Sequence, residues 1–176
     1  MMIYFILYAQ QGIYFLSGTA YTGSILPMQI IMPTLLFIGL TNILGIQILV
    51  PLGREKTVLY SEIAGAIVNL VVNALLIPRF TSAGAAVGTV AAELTVLTVQ
   101  YFTLRDQVSD IFKSVSYYKI ALGLLAGSVS SYWVTNLQLG NFITLVITAC
   151  LFFGLYGGVL LVTKERLTVD IFNQAI

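Results

Sequence analysis

Apolar residues run through this chain in long blocks, and the polar positions fall between the blocks with few exceptions. The blocks predict six helices able to reach across a membrane, at residues 1–16, 25–50, 57–77, 82–104, 120–137 and 142–162. A membrane helix needs roughly 17 residues or more, so the first block is short for a span. It also holds Gln10, Gln11 and Gly12. The second block contains Pro33, whose ring removes a backbone hydrogen bond, and this makes Pro33 the hinge candidate. It stops at Pro51-Leu-Gly53, and the third block stops at Pro78-Arg79. After the fourth comes the most polar connection, RDQVSDIFKSVSYYK (105–119), in which Ile111, Phe112, Tyr117 and Tyr118 interleave with charges. It reads as a loop lying partly along a membrane surface.

The stretch from Glu62 to Glu93 carries the exceptions to this pattern. Glu62, Ala66, Asn69 and Asn73 follow at steps of four, three and four, which keeps them on one helix face. Glu93 lies eleven residues from either end of the fourth block, near the bilayer midplane. A charge there costs roughly 2.5–3.5 kcal/mol on insertion scales. A water-filled cavity, a partner or a bound proton would relieve that cost. Glu93 is therefore a candidate for proton or cation coupling, with a hydrogen-bonded packing role as the alternative. Asn69 and Asn73 read as interhelical packing or as part of a transport path. Glu62, near the cytoplasmic end of its span and at a depth different from that of Glu93, reads as reaching the headgroups or as a transport or coupling residue, and Arg79 reads as an interfacial anchor or a transport residue.

Small residues complete the pattern. Gly84, Gly88, Ala91, Thr95 and Thr98 share one face of the fourth span, with Thr89, Glu93 and Gln100 on another. That span is expected to be buried within the bundle, with the other helices packed around the 62–93 hairpin. Gly123, Gly127 and Ser131 repeat the device on the fifth span, and Gly154 and Gly158 on the sixth. The last two spans carry no charge at depth and are expected at the periphery.

Composition narrows the function classes. Of 176 residues, 59% are hydrophobic and 9% charged, against about 25% charged in a soluble domain. The reading is an all-α integral membrane protein. A net charge of +1 without a basic arm argues against nucleic acid. One cysteine, Cys150, and no histidine exclude an internal disulfide, a His-dependent triad and most metal sites. No enzymatic constellation is visible, so the expectation is a non-enzyme without a cofactor, apart from H⁺ or Na⁺ coupling. Seven of the eight basic residues fall in the connections after the second and fourth spans and in the C-terminal tail; the other set of loops holds Arg79 alone. By the positive-inside rule, both termini are cytoplasmic.

The residues 26–100 resemble the second half of bacterial polysaccharide flippases. These are the O-antigen and capsule repeat-unit transporters of the multidrug and oligosaccharidyl-lipid exporter superfamily. The resemblance rests on QILVPLG (47–53), Asn69-x-x-x-Asn73, Ile77-Pro78-x-Phe80, Gly84-Ala85-Ala86 and Thr89. It implies six transmembrane helices forming one lobe of a MATE-like bundle in a bacterial cytoplasmic membrane. It implies translocation of lipid-linked oligosaccharide by alternating access, with an N-terminal lobe absent from this sequence as partner. No Lys or Arg sits at membrane depth here, so the charge for a pyrophosphate headgroup would come from that lobe. A multidrug-efflux lobe is the alternative within the superfamily. A membrane scaffold or accessory subunit is the alternative outside it.

Overall fold

The computed structural model of this chain describes residues 1–114, 117–137 and 139–162, except for the side chains of 109–114, 161 and 162. All regular structure among these residues is helical. Helix α1 (Met2–Leu7) and α2 (Ala9–Ser17) are followed by a 3₁₀ turn (Thr19–Ser24), α3 (Ile25–Ile31) and α4 (Thr34–Thr41). A π-helical segment (Asn42–Leu49) continues α4 and leads to α5 (Glu55–Ser114). Helix α6 (Tyr117–Tyr132), a 3₁₀ turn (Trp133–Leu137) and α7 (Asn141–Val162) complete the fold. Four stretches are long and apolar enough to cross a membrane: Thr19–Leu49, Glu55–Val108, Tyr117–Leu137 and Asn141–Leu160.

Helix α5 is two antiparallel arms, 55–80 and 82–114. At 60 residues a straight helix would be about 90 Å long, three times a bilayer core. It folds instead at Thr81, the one non-glycine residue with positive φ (49°, ψ −122°) among the described residues. These angles are those of the first central residue of a type II′ turn, where glycine is the usual occupant. Pro78 precedes the turn and Gly84 follows it. A methyl group on Gly84 would stand 2.6 Å from the Leu76 carbonyl oxygen, so only glycine lets the arms leave the turn this closely packed. The same register holds further along. Gly65 faces Val96 and Ala92, Gly88 faces Asn73, and Gln100 Nε2 donates to Ser61 Oγ at 3.1 Å.

The second arm stays helical beyond Leu104. Leu104 and Val108 are buried against Leu44 and Leu49 of the π-segment, with Val58 and Tyr101 beside them. The connection expected as a loop at 105–119 is therefore helix as far as Ser114, with Leu104 and Val108, one helical turn apart, holding its start by packing on the second span. The C-terminal tail with Lys164, Glu165, Arg166 and Asp170 lies outside the described residues, as do the side chains of Ile111, Phe112 and Lys113.

The remaining helices form a second packing group. Helices α6 and α7 lie against each other, and α1 and α2 pack on them. Gly123 meets the Tyr156 ring at 3.0 Å and Gly127 meets the Phe152 carbonyl oxygen at 2.9 Å, measured from a methyl placed on each glycine. Gly123, Gly127 and Ser131 are all buried, so the small face expected on the fifth span is used here. The expected single span at 1–16 is two short helices that break at Tyr8 (φ −107°, ψ 22°). The break frees the Ile6 carbonyl, and Gln29 Nε2 donates to it at 3.0 Å from α3.

Two further expectations change. Helix α5 packs on α3, α4 and the π-segment, while the α6–α7 pair packs with α1 and α2, so the fold is not one bundle wrapped around the hairpin. The second arm, expected to be buried except for a strip including Val87, Val90, Leu94 and Leu97, is exposed at Val87 and Leu94 of that strip and also at Thr98 and Phe102 outside it. Total accessible surface is 11053 Å² for 19.2 kDa, against about 8,400 Å² for a compact water-soluble chain of that mass. Many large apolar side chains are exposed, among them Leu70, Leu75, Leu125 and Val129, which makes the surface compatible with lipid as its solvent.

Candidate functional site

The polar face of the first arm and the acid of the second meet in one open groove. Glu62, Gly65, Ala66, Asn69, Leu70 and Asn73 line it from the first arm, and Thr89, Ala92, Glu93 and Val96 from the second. Its volume is about 470 Å³. The helical spacing read from the sequence is the reason Glu62, Ala66, Asn69 and Asn73 converge. The fold at Thr81 is the reason Glu93 joins them.

Glycines set the groove's depth. A methyl on Gly65 would lie 2.6 Å from Val96 Cγ2, and one on Gly88 would overlap Asn73 Oδ1. The arms therefore touch along the glycines, and the longer polar side chains stand beside the line of contact. Asn73 Nδ2 donates to Asn69 Oδ1 at 2.8 Å, one helical turn away. That bond fixes the Asn73 amide and turns its Oδ1 toward Gly88, where it is buried and accepts no hydrogen bond. Thr89 Oγ1 donates to the Ala85 carbonyl at 3.1 Å and keeps its own lone pairs free.

Glu62 and Glu93 are close enough for their charges to act on each other. In the register of the hairpin they are offset along the helix axis by six residues, about 9 Å. The sequence placed them at different depths; the structure keeps that offset and brings both into the same groove from opposite arms. Among the described residues no Lys or Arg lines the groove. The oxygen donors there are carboxylate, amide and hydroxyl groups, the set that suits a proton or a hard cation and repels an anion. Among the described residues no group of three or more His, Cys, Asp or Glu converges.

Arg79 stands apart. It is exposed beside Pro78 at the turn and takes no place in the groove. Pro33 lies between α3 and α4, where it does interrupt the hydrogen-bond ladder. Leu36 N reaches Pro33 O at 3.0 Å, a three-residue step. The backbone of Met32 and Pro33 nevertheless keeps helical angles (φ −56° and −55°), so the helix is loosened there without a sharp bend.

Sequence reasoning passed over Gly65 and Ser61. Ser61 is fully buried, donates to the Val58 carbonyl at 2.7 Å and accepts from Gln100. The signal was present: Ser61 and Gly65 sit four apart, one residue round from the Glu62–Ala66 face. A second, apolar pocket of about 290 Å³, lined by Leu70, Asn73, Ala74, Ile77 and Pro78, extends the groove toward the turn.

No family model matches this chain, and no curated protein or solved structure is significantly similar to it.

Proposed function

We propose that this chain is a transport lobe of a cytoplasmic membrane, a MATE-like half whose hairpin groove serves the translocation of lipid-linked oligosaccharide repeat units. The observation that carries the reading is the convergence of Glu62, Asn69, Asn73 and Glu93 on one open groove within an otherwise apolar hairpin. Polar groups at such depth are costly unless they face a cavity or a partner. The two arms, the Thr19–Leu49 stretch, α6, α7 and the α1–α2 pair would be the six crossings, with both termini cytoplasmic. Arg54 and Lys56 begin the first arm, and Arg105 lies near the end of the second. The antiparallel pairing brings these three cations to one end and leaves Arg79 at the other, as the positive-inside rule asks.

In this reading the acidic groove takes H⁺ or Na⁺ and the lobe rocks against a partner lobe. The partner supplies the cations for a pyrophosphate headgroup, since none is among the described residues that line the groove. The scaffold alternative is weakened by the use of Gly65, Gly84, Gly88, Gly123 and Gly127 within the chain itself.

The test is complementation of a flippase-null capsule strain by this chain, with and without a matching N-terminal lobe. Surface polysaccharide restored only with the lobe supports the proposal. No restoration in either arm, with the protein present in the membrane, contradicts it.

A further inference from the structure

The second span changes hydrogen-bond register where it meets the hairpin. From Asn42 to Leu49 the backbone is π-helical. Its five-residue steps run out through Val50 N to Gly45 O at 3.0 Å and Arg54 N to Leu49 O at 2.9 Å. A π-segment holds more residues per turn than an α-helix, so it can revert when one residue is taken up elsewhere. Reversion rolls everything on one side by about 100° and moves it about 1.5 Å along the axis.

One side chain stands against that roll. Gln100 is 1% exposed, and its amide is wedged on the buried Gly45. A methyl on Gly45 would lie 3.1 Å from both Gln100 Nε2 and Gln100 Oε1. A one-residue roll replaces Gly45 there by Leu44 or Ile46, whose side chains need the space the amide occupies. The wedge is itself tied to the first arm, through Nε2 to Ser61 Oγ. Its Oε1 is buried and accepts no hydrogen bond.

The flanking structure permits motion. The C-terminal end of the segment is anchored, since Leu49 packs in one cluster with Leu104 and Val108; a roll that carries Gly45 past Gln100 also carries Leu44 out of that cluster. The N-terminal side is α4, TLLFIGLT, with Pro33 already loosening its start. Leu35, Leu36 and Ile38 are exposed, Phe37 and Leu40 are half-buried, and the two buried residues, Thr34 and Thr41, donate their hydroxyls to the carbonyls of Ile31 and Ile38. Rolling the helix therefore buries no charge.

We propose that the Asn42–Leu49 segment is a register switch in the second span and that Gln100, held by Ser61, is the catch that keeps it in the π state. Ser61 neighbours Glu62 at the end of the groove, so spreading of the arms releases the catch and frees α4 to roll. The switch belongs to the fold and needs no transported substrate.

The test uses the full chain in lipid nanodiscs, with Cys150→Ser, Leu36→Cys and Phe102→Cys, spin labels on both new cysteines and a pulsed distance measurement. Both sites are exposed. With Gln100 in place one distance dominates. Gln100→Met, close in size but unable to hold Ser61, adds a second population displaced by about 8 Å, the chord of a 100° roll at side-chain radius. Ser61→Ala adds the same population in smaller amount. Deleting Ile46 removes the extra residue and leaves the displaced distance alone. Distributions for both Gln100→Met and Ser61→Ala that superimpose on the parent would overturn the proposal, whether or not the deletion folds.

Discussion

The hairpin and the α6–α7 pair solve one packing problem in two ways. Each brings helices together on glycines. In the α6–α7 pair the glycines receive aromatic neighbours, Tyr156 at Gly123 and Phe152 at Gly127. The space beside them is filled by Tyr4, Tyr8 and Phe152. Tyr4 Oη donates to the Leu145 carbonyl at 2.8 Å and lies 3.2 Å from Thr148 Oγ1, while the buried Tyr8 Oη has no hydrogen-bond partner. In the hairpin the glycines receive Asn73 and Val96, and the space beside them is left open with two carboxylates in it. Close packing in lipid is driven by van der Waals contact and hydrogen bonds. The first region uses both to close a core. The second uses them only along the line of glycines, and so holds a polar groove.

The largest losses of stability should come from the packed glycines. Gly88→Leu and Gly127→Leu each force a side chain into an occupied contact, and each is expected to cost about 1–3 kcal/mol or more. Gly154→Leu, with nothing within 4 Å of it, should stay within about 0.5 kcal/mol. Thermal unfolding in detergent separates the three, and equal losses at all three would erase the distinction between used and open glycines.

Polar substitutions should then split by region. Glu93→Leu removes a carboxylate from the hydrocarbon and is expected to favour insertion by about 2.5–3.5 kcal/mol. A glycosylation-based insertion assay of the second arm reads this directly. Tyr4→Phe leaves Thr148 and the Leu145 carbonyl with one hydrogen bond fewer and should cost about 1 kcal/mol. A destabilised Glu93→Leu would place Glu93 among the packing residues instead.

The smallest effect is at the turn. Thr81 holds a backbone conformation that costs a β-branched residue roughly 1–3 kcal/mol, partly offset by the roughly 0.5–1 kcal/mol of extra chain entropy that glycine loses. Thr81→Gly should therefore raise stability by about 1 kcal/mol. A lower melting temperature would show that the threonine is preferred for another reason.

What could be read from the sequence follows the same division. Apolar runs located both arms and their turn at Pro78, because hydropathy reports depth. Steps of four, three and four placed Glu62, Ala66, Asn69 and Asn73 on one face, and the groove has them there. The glycines of the fifth span are buried as their spacing implied. The π-segment left no mark in NILGIQIL, since one extra residue in a uniformly apolar stretch alters hydrogen-bond register without altering depth. The break at Tyr8 was hidden for the same reason, its freed carbonyl being met by Gln29 from another helix. The helical run from Arg105 to Ser114 was masked by its charges. Depth already set Glu93, near the midplane, apart from Arg79 beside Pro78 at the turn, and the groove takes in Glu93 alone of the two.

The central claim is that the hairpin's polar groups serve transport while those of the α6–α7 pair serve packing. Paired complementation with an N-terminal lobe, comparing Glu93→Gln with Tyr4→Phe at matched membrane levels, tests it most directly. The account predicts that Glu93→Gln abolishes surface polysaccharide although the protein is as stable as the parent, and that Tyr4→Phe retains it although the protein is less stable. Parental polysaccharide levels with Glu93→Gln would contradict the claim.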